Sequence, residues 1–239
     1  YSYEIAQDFD YAMTDKVVVV PIGNAGNITA VMSGFLKFFE TGVIADLPKI
    51  VGVQSNHANP VVRYYSQPED QRTAFVPMTV KPSVAQAAMI GNPVSFPRVK
   101  HFAERFEAIG GRDAFQVVQV TEQAIIESML LANRHGHIAC TQGGECLAGL
   151  MRAIELGIID KDEHAILDAT AHSLKFIDFQ TMYFEGSLPA EYNITPDKGL
   201  TNEPKLVIDS GQKDALEPQA YTEAAANAVV EMLGLEGKA

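Results

Sequence analysis

Five consecutive residues, Gly23-Asn24-Ala25-Gly26-Asn27, stand between an apolar β-branched run and the start of an amphipathic segment. Their chemistry is that of an anion cradle. Glycine permits positive φ and close backbone approach, so successive N–H groups from Gly23 to Asn27 can converge on one anion at the positive end of a helix dipole. A phosphate held this way needs no lysine. The loop lacks the Lys-Ser/Thr of a Walker loop and the three-glycine spacing of a dinucleotide loop. An ordinary tight turn is the competing reading of a Gly-x-x-Gly that follows a strand.

Other residues with reactive side chains make weaker patterns. Cys140 and Cys146 are the only cysteines. They are too few for a disulfide framework, lack zinc-site spacing, and read as small packing groups in a reducing cytoplasm. His135 and His137 flank Gly136 in a turn, and no metal site is assigned to them. The net charge of −12, from 30 acidic against 18 basic residues, comes without a basic cluster. Nucleic acid and anionic membranes, which reward a concentrated positive face, are excluded as partners. No run approaches the roughly 18 apolar residues of a membrane span, and no repeat or low-complexity tract occurs.

The elements that must position the cradle follow from hydrophobic period. Residues 16–22 are apolar on both faces, as in a buried parallel strand. After the loop, Ile28, Val31, Met32, Phe35, Phe38 and Phe39 recur on one face of a helix that Thr41-Gly42 closes. Residues 49–54 read as a second strand, with a short helix around 61–65. Ser83 to Gln86 has capping-box spacing, Gly91-Asn92-Pro93 is a turn, and 98–109 is a helix. Residues 115–120 form a strand, and Thr121 caps a helix that runs through Ala132. A short strand is expected at 138–140, a helix opening at Gly143-Gly144, and a last strand at 164–169. Residues 193–218 read as loop or linker before an Ala-rich helix near 222–233. The expectation is an α/β fold: an open, mostly parallel twisted sheet with helices on both faces.

The spelling Gly-Asn-Ala-Gly-Asn resembles the cofactor-phosphate loop of the threonine synthases, members of the fold-type-II family of pyridoxal-phosphate enzymes. Ser2-Tyr3-Glu4-Ile5-Ala6, Gly52-Val53-Gln54 and Ile90-Gly91-Asn92-Pro93 resemble other segments of that family. Asp168-Ala169-Thr170-Ala171-His172-Ser173-Leu174-Lys175 resembles its Thr-Gly-His-Gly-Leu-Lys segment. The resemblance covers most of residues 1–185. It implies the large-domain part of the tryptophan-synthase-β-like fold and pyridoxal 5'-phosphate as cofactor. Gly23, Asn24, Ala25, Gly26 and Asn27 would hold the cofactor phosphate, and the Thr170 hydroxyl would face the pyridine nitrogen. The implied activity is that of a lyase turning O-phosphohomoserine and water into threonine and phosphate, in threonine biosynthesis. A cysteate-synthase-like enzyme and a non-catalytic phosphate-binding fragment are the alternatives.

Departures from the family pattern accompany the matches. Ala171 and Ser173 replace two glycines. Thr141-Gln142-Gly143-Gly144-Glu145 stands where many relatives carry Glu-Pro, leaving Glu145 to face the cofactor or to serve as a helix-dipole partner. His172 either approaches the cofactor or satisfies its own loop. The family's covalent lysine motif does not occur, so no catalytic residue is assigned. Lys16 and Lys49 read as solvated strand ends, and Lys175 as part of the segment after the ring contact. The chain opens in a helix without a methionine, as a cut portion of a longer protein would. Residues 1–205 are therefore expected to be the C-terminal part of the catalytic domain, with 206–239 a tail. The partners expected are an amino-acid phosphate, an N-terminal portion of the same enzyme and a second copy in a homodimer.

Overall fold

In the computed structural model, which describes residues 1–201 and 206–235, two compact units are formed by Tyr1–Leu200 and Thr201–Ala239. The first is built on four parallel strands, β1 (Lys16–Pro21), β2 (Lys49–Ser55), β3 (Phe115–Val120) and β4 (His164–Leu167), in the order β3-β2-β1-β4. β1 to β3 march outward in one direction. β4 then crosses back to the other side of β1, pairing Lys16 with His164 and Val19 with Leu167. The strand order therefore reverses at β1, and the carboxyl ends of β1 and β4 become neighbours. In open α/β sheets this is where ligands bind.

Alternation along β1 feeds two cores. Val18 and Val20 pack on one side with Ile28, Val31, Met32 and Phe35 of α2 (Gly26–Glu40) and Val99, Ala103 and Phe106 of α4 (Phe96–Gly110). Val17 and Val19 pack on the other with Ile125, Ile126 and Met129 of α5 (Glu122–Arg134) and Cys146, Ala148 and Ala153 of α6 (Thr141–Glu155). Both faces are thus covered, which is why the strands are apolar throughout. α1 (Ser2–Asp8) packs on α2, α3 (Pro60–Tyr65) follows β2, and α7 (Ile177–Glu185) packs on α5. Gly144 has no room for a side chain: a Cβ there would lie 2.4 Å from the Ile125 carbonyl oxygen and 2.7 Å from Met129 Cβ. That closeness seats α6 against α5.

Several expectations need correcting. Residues 138–140 form no strand, only an isolated antiparallel bridge between Ala139 and His172. The Ser83 signal yields a 3-10 turn at Gln86–Ala88, because the Ser83 hydroxyl accepts from the Ala85 amide two residues on (3.1 Å) and closes a local turn. α6 starts at Thr141, two residues before the glycine pair. Residues 193–200 are no linker: Gln123 brackets Thr195 through both amide atoms, Tyr183 Oη accepts from the Asp197 amide (2.8 Å), and Arg134 donates to the Gly199 carbonyl (2.6 Å). Lys16 is buried against Asp15 and the Phe9 ring, and Lys49 binds Glu163 and the Ile158 carbonyl, so neither is a solvated end. The second unit holds α8 (Ser210–Ala215), within the stretch read as linker, and α9 (Pro218–Met232), none of whose residues is buried.

Candidate active site

The cradle forms where β1 runs into α2. Ile22 is anchored to β2 by its amide, which donates to the Val53 carbonyl (2.8 Å). The chain then turns through Ala25, which caps α2 in the left-handed region (φ 64, ψ 13). The positive φ falls on Ala25 and not on a glycine, so the glycines have a different purpose. A Cβ on Gly23 would meet the Ala87 carbonyl oxygen and Ala88 Cα at 3.1 Å each, whereas nothing lies within 4 Å of one on Gly26. Gly23 admits the 86–88 wall, and Gly26 leaves the mouth of the helix open. The first helical hydrogen bond of α2 runs from the Thr29 amide to the Ala25 carbonyl (3.3 Å), so the preceding amides are not consumed by the helix and remain for an anion.

Thr170 lies beyond the end of β4, also in the left-handed region (φ 53). For a β-branched residue this costs about 1–3 kcal/mol and persists only where the surroundings impose it. Its amide donates to Asp168 Oδ1 (3.1 Å), and its hydroxyl contacts Cys140 Sγ (3.3 Å). The Cys140 amide holds the Ala171 carbonyl (3.2 Å). The other Asp168 oxygen accepts from the side-chain amide of Asn27, the last cradle residue. One carboxylate therefore joins the turn after β4 to the turn after β1. Burial pushes the Asp168 carboxyl above its usual range, partly offset by the hydrogen bonds from the Thr170 amide and Asn27.

Beside these contacts lies an open cavity of about 300 Å³ lined by Gly23, Asn27, Ala88, Gln142, Thr170 and Lys175 among others. Of the residues expected at the site, Gly23, Asn27 and Thr170 meet in it, while Asn24, Ala25 and Gly26 complete the turn. Asn24 offers its carbonyl to the Ser95 amide (3.2 Å), which ties the loop to the segment after Gly91-Asn92-Pro93. His172 turns its Nδ1 to the Leu174 amide (3.2 Å) and so satisfies its own loop. Glu145 is neither a cavity residue nor a solvated dipole partner: it is fully buried in α6. Sequence reading missed Asp168 as a bridge and Gln142 as a wall, because both depend on β4 and α6 converging on β1. A larger cleft of about 620 Å³ between α5 and α6, lined by Glu127, Met151, Arg152 and Glu155 among others, shares none of the cradle's residues. Among the described residues no cluster could hold a metal ion.

The family described as pyridoxal-phosphate dependent enzyme matches residues 1–167, ending three residues short of Thr170. The chain is 34% identical to the threonine synthase of Methanocaldococcus jannaschii over 175 residues, covering 73% of the chain and 40% of that relative. It is 32% identical to threonine synthase 2, chloroplastic, of Arabidopsis thaliana, over 75% of the chain and 33% of that relative. The chain thus spans well under half the length of these curated relatives. Among solved structures, threonine deaminase isoform 2 from Solanum lycopersicum superposes with a TM-score of 0.55 at 17% identity, over 75% of the chain and 46% of that structure. The threonine synthase from Escherichia coli gives 0.53 at 18% identity, over 75% and 38%. At these identities the two share the fold.

Proposed function

Because the chain belongs to the family of pyridoxal-phosphate dependent enzymes, we propose that it is the cofactor-gripping portion of a threonine synthase, acting on O-phosphohomoserine and water to give threonine and phosphate. The observation that carries this reading is the shared cavity: Gly23 and Asn27 on one wall and Thr170 on another, at the carboxyl ends of two adjacent parallel strands. The two relatives named above, both threonine synthases by name, support the choice of substrate.

The residues present fit the cofactor. The open mouth at Gly26 and the unspent amides of the α2 terminus suit its phosphate dianion. The Thr170 hydroxyl suits the ring nitrogen. Bound there, pyridoxal phosphate supplies the electron sink on which the amino-acid chemistry depends. The protein's part is to orient and to tune. Both Asp168 oxygens are engaged by Asn27 and the Thr170 amide, so the carboxylate nearest Thr170 is spent on holding the loop. Thr170 would then meet the ring with a neutral hydroxyl, which cannot stabilise a protonated pyridinium and would keep the sink mild. Asn24, Ala25 and Gly26 hold the cradle's shape.

We assign the covalent lysine to a portion of the enzyme outside this chain, whose matched relatives are more than twice as long as the aligned stretch, and none of Lys16, Lys49 and Lys175 to that role. A reducing, cytoplasmic setting accords with two free buried cysteines. Among the described residues no helix is long and apolar enough to cross a membrane. The test is to add pyridoxal phosphate to the chain and record its absorbance with and without Thr170→Val. The reading expects dissociable binding, an absorbance that the substitution alters, and no specific adduct after borohydride. A specific borohydride adduct on a lysine of this chain, or an absorbance indifferent to residue 170, would count against it.

A further inference from the structure

Behind the 83–88 wall of the cavity, at the carboxyl end of β2, two carboxyl groups are buried together. Glu122 is 1% exposed and fully served: the Ser55 hydroxyl donates to one oxygen and the Val84 amide to the other (2.6 Å). Glu145 is 0% exposed, and both of its oxygens lack a hydrogen-bond partner among the described residues. The Ser55 backbone amide nearby favours its charged form without reaching hydrogen-bond geometry. The other titratable groups around the pair are His57 from the loop after β2, Cys140 just before α6, Cys146 within it, and Tyr192. His57 lies 3.8 Å from Glu122 but gives its Nδ1 proton to the Pro82 carbonyl (2.6 Å).

A buried carboxylate without donors is costly to ionise, and a second carboxylate nearby raises that cost, so the charge settles where the donors are. Those donors are at Glu122. The donor on its second oxygen is the backbone of Val84, in the segment whose Ala87 and Ala88 abut Gly23. The same segment is held from α6 by Gln142, whose amide oxygen, turned to satisfy its neighbours, accepts from the amides of Gln86 (3.2 Å) and Ala87 (3.0 Å).

We propose that Glu122 and Glu145 form a one-charge, one-proton pair in which Glu145 stays a neutral acid and Glu122, left as the only charge, clamps the 83–88 wall onto the cradle. Both are positioning residues that never touch the ligand. Loss of the Glu122 charge releases the Val84 amide, whereas an amide at 145 preserves the neutrality the clamp needs. The consequence for ligand binding rests on the cradle reading given above; the clamp itself does not.

The test is amide hydrogen exchange of segment 83–88 in the full chain, with infrared spectra of the carboxyl groups. At neutral pH the infrared difference between wild type and Glu145→Gln is expected to show a protonated-carboxyl band that shifts in heavy water; its absence overturns the proposal. Glu122→Gln should lower protection of 83–88 by about tenfold or more, the loss of one charge-assisted hydrogen bond. Glu145→Gln should leave it within about twofold. Equal effects of the two, or none from Glu122→Gln, overturn the clamp. If Glu122→Gln does not fold, Ser55→Ala, which removes the other donor to Glu122, takes its place and should loosen 83–88 locally. Pyridoxal phosphate affinity is read on the same variants. A wall that loosens without weakening the cofactor leaves the clamp standing and counts against the cradle.

Discussion

Asn27 and Asp168, 141 residues apart in the chain, are joined side chain to side chain across the carboxyl ends of β1 and β4. The bond exists because β4 crosses back beside β1 instead of extending the sheet past β3. It ties the turn after β1 to the turn after β4, with Asp168 Oδ1 on the Thr170 amide (3.1 Å) as its second link.

Replacing Asp168 with Ala removes both links. Pyridoxal phosphate affinity is expected to fall by about tenfold, as for one well-made charge-assisted hydrogen bond. Because Asp168 is half-buried, stability should fall by only about 1 kcal/mol. Equilibrium dialysis and urea melts of the same samples separate the two effects.

Gly23→Val places a branched side chain where a single Cβ already meets Ala87 O and Ala88 Cα at 3.1 Å. The wall must retreat. Inorganic phosphate binding should be lost, with destabilisation of about 1–3 kcal/mol from overpacking. Phosphorus NMR line widths report the first and thermal melting the second.

The neighbouring helix gives a purely structural control. Gly144→Ala puts a Cβ 2.4 Å from the Ile125 carbonyl oxygen and 2.7 Å from Met129 Cβ, pushing α6 from α5. Stability should drop by about 1–3 kcal/mol, read as a lower urea midpoint. Phosphate binding should persist in whatever fraction remains folded.

Stability should also depend on pH through Glu145, whose carboxyl burial raises well above its ordinary value near 4.5. A raised carboxyl favours the folded state fully below its unfolded value, and that contribution is lost as pH rises toward the folded value. The stability of wild type minus that of Glu145→Gln should therefore be flat in acid and decline with rising pH, by at most about 1.4 kcal/mol per pH unit. Urea melts of both proteins across that range measure the difference.

Much of this was legible in the sequence, for physical reasons. β1 and α2 announced themselves because their burial is dictated locally, by a β-branched run and a stripe from Ile28 to Phe35. The turn between them was legible as well, because glycine at a strand-to-helix junction admits close backbone approach, as Gly23 does for Ala87 and Ala88. The 83–88 wall was not, since Ser83 spends its hydroxyl on Ala85 and mimics a cap without starting a long helix. Asp168 was hidden for another reason: its partners are chosen by strand order, which no local pattern encodes. The positive φ at Ala25 ran against the glycine rule, because a small side chain tolerates the left-handed region where the cap demands it. Glu145 looked like a helix-start acid and is a buried one, a difference visible only once α5 and β2 close around it.

The proposed function requires the cradle and Thr170 to grip the two ends of one molecule. Thr170→Val, titrated in parallel with inorganic phosphate and with pyridoxal phosphate, probes that grip. The expected result is unchanged affinity for inorganic phosphate and affinity for pyridoxal phosphate weakened by about threefold to tenfold, the worth of a neutral hydrogen bond. Equal affinity of wild type and variant for pyridoxal phosphate would contradict the claim.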